Sequence, residues 1–164
     1  MLELARKAGV AHFLYISIVG IDRIPSYPYY RVKLAAEVAV EQGSVPWSIL
    51  RATQFHTLID RLLRLPAWAP VAFLPTDFHF QPVDGGEVAD RMVEIVAAGP
   101  SGRVLDMGGP QVQTLGELAN EWRRARGLQR WILPLPLPGK TANAFRRGYN
   151  TCPENRQGRI TWED

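Results

Sequence analysis

Two rhythms of apolar and polar positions run along this chain. Residues 10–20 (VAHFLYISIVG) form a nearly unbroken apolar run of strand length, with apolar side chains at odd and even positions alike. A strand covered on both faces, as in a parallel sheet, carries that pattern. Residues 45–52 (VPWSILRA) and 103–109 (RVLDMGG) repeat it in shorter form. Between these runs the period becomes helical. A helix is predicted from about Tyr29 to Gln42, with Pro28 at its first position and Gly43 beyond its end. In 85–99 (GGEVADRMVEIVAAG) the apolar positions Val88, Met92, Ile95 and Val96 fall on one helical face. Thr114 with Glu117 three residues later has the form of a capping box, opening a helix over TLGELANEWRRARG. Shorter helices are predicted at 2–9, at 57–65 up to Pro66, and around 139–148. The stretch 66–83 is rich in proline and aromatic residues, with short strands expected near 71–74 and 78–83.

Strand and helix in alternation imply an α/β architecture with right-handed crossovers. The reading gives three sheet strands, at about 11–19, 46–51 and 102–107, fewer than a doubly wound sheet normally holds. The chain also begins inside what reads as a crossover helix. The expectation is therefore the C-terminal part of a doubly wound parallel sheet. Upstream βα units would be missing, about three of them at roughly 30 residues each. Residues 1–130 would form this partial domain and 131–164 a Pro-rich C-terminal extension.

Composition narrows the function classes. Of 164 residues, 46% are hydrophobic and 21% charged, enough apolar matter for a core and too little charge for global disorder. The net charge of +3 is spread along the chain, apart from a cluster at Arg123, Arg124, Arg126 and Arg130 near a helix end. A solvated helix terminus explains that cluster more simply than a nucleic-acid site. The single cysteine, Cys152, excludes an intrachain disulfide and has no histidine beside it to activate a thiol. The most apolar stretch, 62–83, is broken by four prolines and is no membrane span. A soluble cytoplasmic protein with a small-molecule substrate is expected, without nucleic-acid or membrane partners.

The sharpest chemical signal is Tyr29-Tyr30-Arg31-Val32-Lys33. Residues four apart on a helix share a face one turn apart. An ammonium there stabilises a phenolate, lowers the phenol's pKa from about 10 and permits proton exchange with a carbonyl or alcohol oxygen. Tyr30, three residues from Lys33, competes for the role, and the five residues alone fit better a packed tyrosine with a solvated lysine. Ser17 is placed near the C-terminal end of a strand, where open α/β sheets bind ligands; its hydroxyl either donates to a substrate oxygen or is simply small enough for the strand. His12, His56 and His79 have no metal-ligand spacing. Trp68, Phe73, Phe78 and Phe80 line either an apolar pocket or a small core.

HFLYISIVG, a loop, YPYYRVKLAAE and then VPWSILRATQF together resemble the central segment of short-chain dehydrogenase/reductases, and most of all the atypical, NmrA-like NAD(P)-binding group. QPVDGGEVADRMVEIVAAGPSGRVLDMGGPQVQTLGELA resembles that group's C-terminal portion. The resemblance covers 2 to about 122, and GRITWED is similar to the group's ending. It implies the C-terminal part of a Rossmann-type fold, with 1–130 a partial NAD(P)-binding domain that includes a small substrate-side subdomain at about 66–83, an NAD(P) cofactor, Tyr29 as acid/base, Lys33 on the nicotinamide ribose, Ser17 orienting substrate, and Thr53, Gln54 and Phe55 near the nicotinamide. Two departures stand out. No G-x-G-x-x-G phosphate loop occurs in the sequence, so this chain alone is expected to bind NAD(P) weakly. Ile18 stands where many relatives carry a second hydroxyl residue. Three functions follow: an oxidoreductase module, a non-catalytic NAD(P)-sensing regulator, or a fragment without activity of its own.

Overall fold

A computed structural model describes residues 1–64 and 70–164. Its elements in order are α1 (Leu2–Lys7), β1 (Phe13–Ile18), α2 (Pro28–Glu41), β2 (Trp47–Ala52), α3 (His56–Arg64), β3 (Val71–Leu74), β4 (His79–Phe80), α4 (Gly85–Ala98), β5 (Gly102–Arg103), β6 (Gln113–Thr114), α5 (Leu115–Ala125), β7 (Trp131–Pro134) and α6 (Lys140–Arg146). β1, β2 and β5 form a parallel sheet in that order, with Phe13 opposite Trp47 and Ile18 opposite Ala52. β3 pairs with β7 in parallel, and β4 with β6 antiparallel.

The first sheet is covered on both faces. Leu14, Ile16, Leu50 and Ala52 pack with Val88, Met92 and Ile95 of α4. The opposite face meets α2, through Lys33 over the Tyr15 ring and Glu37 on Arg51. This is the doubly wound arrangement expected from the parallel-strand pattern. The α2 face is less apolar than expected: a charged pair occupies its centre.

The strand expected at 102–107 is shortened. Arg103 lies opposite Ile49 and Met107 bridges Ala52, so four steps on this strand face three on β2. The extra residue is accommodated as a bulge, and Leu105 is lifted into solvent.

Segment 131–164 is exposed over 133–140 and packs against the rest of the protein mainly within 141–158. β7 completes the β3 sheet, Phe145 of α6 joins the cluster of Ile21, Ile24 and Tyr30, and Asn150 and Cys152 are wholly buried. Two helix ends follow the sequence rules directly. Asp84 Oδ1 accepts from the amides of Gly86 and Glu87, and Thr114 with Glu117 makes both bonds of its capping box.

Candidate active site

Parallel strands β1 and β2 both point their C-terminal ends toward the β1–α2 loop and the tail. Lys33 reaches β1 from the first turns of α2, and its Nζ donates to Ile16 O at 3.1 Å. The ammonium also sits 4.4 Å from the centroid of Tyr15. Tyr29, one turn earlier, is 54% exposed and lies edge-on to Tyr27. Among the described residues no hydrogen bond joins Tyr29 to Lys33; Lys33 is held by the strand instead. The competing tyrosine has a different environment. Tyr30 is buried with Ile21, Ile24 and Ala144. Burial raises its phenol far above the ordinary value, with Tyr27 adding to the rise and the Gln54 side chain opposing it. Of the two, Tyr29 alone offers a phenol to solvent.

Ser17 lies at the C-terminal end of β1, buried, facing α2. Its hydroxyl approaches the Glu37 carboxylate and helps to hold it charged, yet falls short of hydrogen-bond geometry, so Oγ has no partner. Glu37 is completely buried and takes a two-pronged bond from Arg51, Nε to Oε1 at 2.9 Å and Nη2 to Oε2 at 2.7 Å. Arg103 adds a third contact at 3.0 Å, and Arg51 Nη1 donates to Asp22 at 2.9 Å. Burial alone would raise the Glu37 carboxyl; the Arg51 bonds, Ser17 and the field of Arg103 outweigh it and hold the group below its usual range. This network ties α2, which carries Tyr29 and Lys33, to β2 and β5. The signal for it was an arginine inside the apolar strand WSILRA, since a charge there requires a buried partner.

Thr53, Gln54 and Phe55 follow β2 into the interior. Thr53 Oγ1 donates to Gln81 O. Gln54 Nε2 donates to Asn150 O at 3.1 Å, and its Oε1 accepts from the Gln81 amide at 3.2 Å. Phe55 bridges Val83. Gln81 is the centre of this region: fully buried, it donates to Gly109 O at 2.8 Å and accepts from the Cys152 amide at 2.8 Å. A Cβ on Gly109 would stand 1.6 Å from Pro82 O, so the glycine is needed for close approach. Sequence reasoning did not find Gln81, Asn150 or this use of Gly108-Gly109, because their partners are 27 or more residues away. Burial, reinforced by Asp106 and Glu154, pushes the Cys152 thiol up to about 12.

The other candidates are placed as follows. His12 shares a hydrogen bond with Ser48 at 2.9 Å. His56 stands edge-on to Trp162, with Nε2 buried and unpartnered. Among the described residues no group of three His, Cys, Asp or Glu side chains is arranged to hold a metal. Phe78 stacks on Phe145 and Phe80 packs with the cluster of α3 and α5, whereas Phe73 is exposed; Trp68 lies outside the described residues. The arginine cluster is partly structural, contrary to its expected role as a solvated terminus. Arg126 bonds Asp60 and covers the Trp122 ring, and buried Arg130 donates to Leu63 O. No helix among the described residues is long and apolar enough to cross a membrane.

Open clefts among the described residues include two of note. One, of about 630 Å³, lies between α3, α5 and the chain end, lined by His56, Asp60, Glu121, Trp122 and Trp162. The other, of about 300 Å³, lies between the β1–α2 loop and α6.

Comparison with solved structures settles the fold. The NADPH-dependent quinone oxidoreductase of Escherichia coli superposes with a TM-score of 0.69 at 18% identity, over 90% of this chain and 58% of that one. A nucleoside-diphosphate-sugar epimerase of Staphylococcus aureus gives 0.72 at 13% identity, over 99% and 66%. The fold is Rossmann-type. The same oxidoreductase in complex with NADPH also gives 0.69, at 19% identity, so nucleotide binding accompanies this Rossmann-type scaffold in that enzyme. Among curated proteins, the photosystem II assembly factor Ycf39 of Trieres chinensis is 22% identical over 77 residues, 47% of this chain and 24% of the relative. No family model matches. The chain thus spans about a quarter of that relative and 58 to 66% of the two solved structures.

Proposed function

We propose that this chain is part of an NAD(P)H-dependent oxidoreductase, with Tyr29 as proton donor and Lys33 as its partner. The observation that carries the reading is an exposed phenol one helical turn from an ammonium fixed at the C-terminal end of a parallel strand. Open α/β sheets bind ligands at that end. The bound nicotinamide would supply a hydride to a carbonyl carbon. Tyr29 would give its phenolic proton to the carbonyl oxygen, and the Lys33 charge would stabilise the phenolate left behind. Lys33 Nζ spends one donor on Ile16 O, leaving others for a ribose hydroxyl. Ser17 Oγ, buried and unpartnered at the same strand end, is the further donor suited to a substrate oxygen. Thr53 and Gln54 serve this site through its wall, since their side chains are bonded internally. Phe55 borders the same wall.

The absence of a Tyr29–Lys33 bond among the described residues favours a second reading, an NAD(P)-sensing protein without turnover. One experiment separates them. In protein carrying these residues, NADPH oxidation is followed against carbonyl and quinone substrates beside a binding assay. Tyr29→Phe is expected to lower turnover by about 10²–10⁴-fold while leaving NADPH affinity nearly intact. Turnover that survives the substitution removes Tyr29 from the chemistry. Binding without any turnover in the parent protein leaves the sensing reading.

A further inference from the structure

We propose that the 300 Å³ cleft between the β1–α2 loop and α6 binds a phosphate-type oxyanion on the substrate, separate from the cofactor's phosphates. The substrate assignment rests on the oxidoreductase reading; the binding of the anion does not. Arg23, Lys140 and Arg147 line the cleft, with Ser26, Asn143 and Tyr149 between them and no carboxylate among its lining residues. None of the three cations takes part in an ion pair among the described residues, whereas Arg146, adjacent to Arg147, is spent on Asp77 and Leu137 O. Asp22, the acid next to Arg23 in sequence, gives its charge to Arg51.

The walls of the cleft are fixed to each other. Arg23 Nη2 donates to Thr151 O at 3.0 Å, Thr141 bonds Ser26 at 2.8 Å, and Phe145 meets the rings of Tyr27 and Tyr30. Gly20, at φ 77°, lets the tail approach so closely that a Cβ there would lie 1.9 Å from Tyr149 O. Three cations outside any ion pair among the described residues, of which Arg23 feels the field of Asp106, recognise a multiply charged oxyanion, because guanidinium groups match its geometry and no side chain has to be displaced from a carboxylate first. The volume, at the lower end for ligand sites, suits a head group rather than a whole ligand. The loop that forms one wall runs directly into Tyr27–Tyr30, which places the anion on the Tyr29 side of the sheet.

The test is calorimetric titration of the full chain with inorganic pyrophosphate at low ionic strength, with succinate as the carboxylate arm. Saturable pyrophosphate binding is expected, weakened by added salt and about tenfold or more by the double substitution of Lys140→Ala and Arg147→Ala, both exposed positions. Circular dichroism and melting of the variant are expected to match the parent. Absent binding, binding unchanged in the double variant, succinate binding as tightly as pyrophosphate, or displacement of pyrophosphate by NADPH would each overturn the proposal. Pyrophosphate binding with no NADPH oxidation in the complete protein would leave the anion site standing and remove the oxidoreductase reading.

Discussion

The β1–β2–β5 sheet and the region around Gln81 hold their shape by different means. In the sheet, apolar runs on adjacent strands bury against α4, and one charged cluster, Glu37 with Arg51 and Arg103, fixes α2 on the other face. Around Gln81 the fixing elements are neutral: amides of Gln54, Gln81 and Asn150, the Thr53 hydroxyl, and glycines that allow backbones from distant segments to touch. A hydrophobic face tolerates small adjustments, because burial is not directional. A net of directional bonds with no room for a methyl group tolerates none. The part of the candidate site that carries Tyr29 and Lys33 rests on the first region, and the wall opposite on the second.

The largest expected effect tests the second region. Gly109→Ala should cost about 3–5 kcal/mol, because its methyl would meet Pro82 O at 1.6 Å and force the Gln81 bonds apart. Urea unfolding measures this; a loss under 1 kcal/mol would show that this region yields as easily as an apolar core.

Glu37→Gln tests the first region and should cost about 3 kcal/mol, since the amide keeps one oxygen for Arg51 but removes the buried charge that neutralises it and turns an NH2 group toward the guanidinium. The same residue gives a pH signature. Its native carboxyl is held below the ordinary 4.5, so its contribution is present above that value and is lost as pH falls through the native value. The parent should lose stability on acidification below about pH 4.5 more steeply than Glu37→Gln. Parallel acid limbs in the two proteins would show that other carboxylates govern this range.

The smallest effect should come from Thr114→Ala, about 1 kcal/mol, as the capping box is exposed and local. It sharpens the comparison because α5 borders the second region yet its cap involves no distant partner. Thermal melting checks it, and a loss as large as that of Gly109→Ala would mean that the cap also fixes the tertiary net.

These magnitudes follow the same division as legibility. The helix from Pro28, its end before Gly43, the Asp84 and Thr114 caps and the two long strands are written in neighbouring residues. So is the spacing of Tyr29 and Lys33. The bulge after Arg103 and the burial of Ala142, Ala144, Asn150 and Cys152 are not, because each depends on what another segment presents.

What the sequence by itself determined is the order of elements, the doubly wound α/β class and the spacing that puts Tyr29 and Lys33 on one helical face, since period, capping and spacing act within one turn or one strand. Tertiary structure decided which tyrosine faces solvent, that Lys33 rests on Ile16 O, that Glu37 neutralises Arg51, and that the tail supplies a wall of the basic cleft. Those outcomes depend on partners far away in the chain. A side chain's burial and charge environment are set by what the fold brings against it, and no local pattern encodes that.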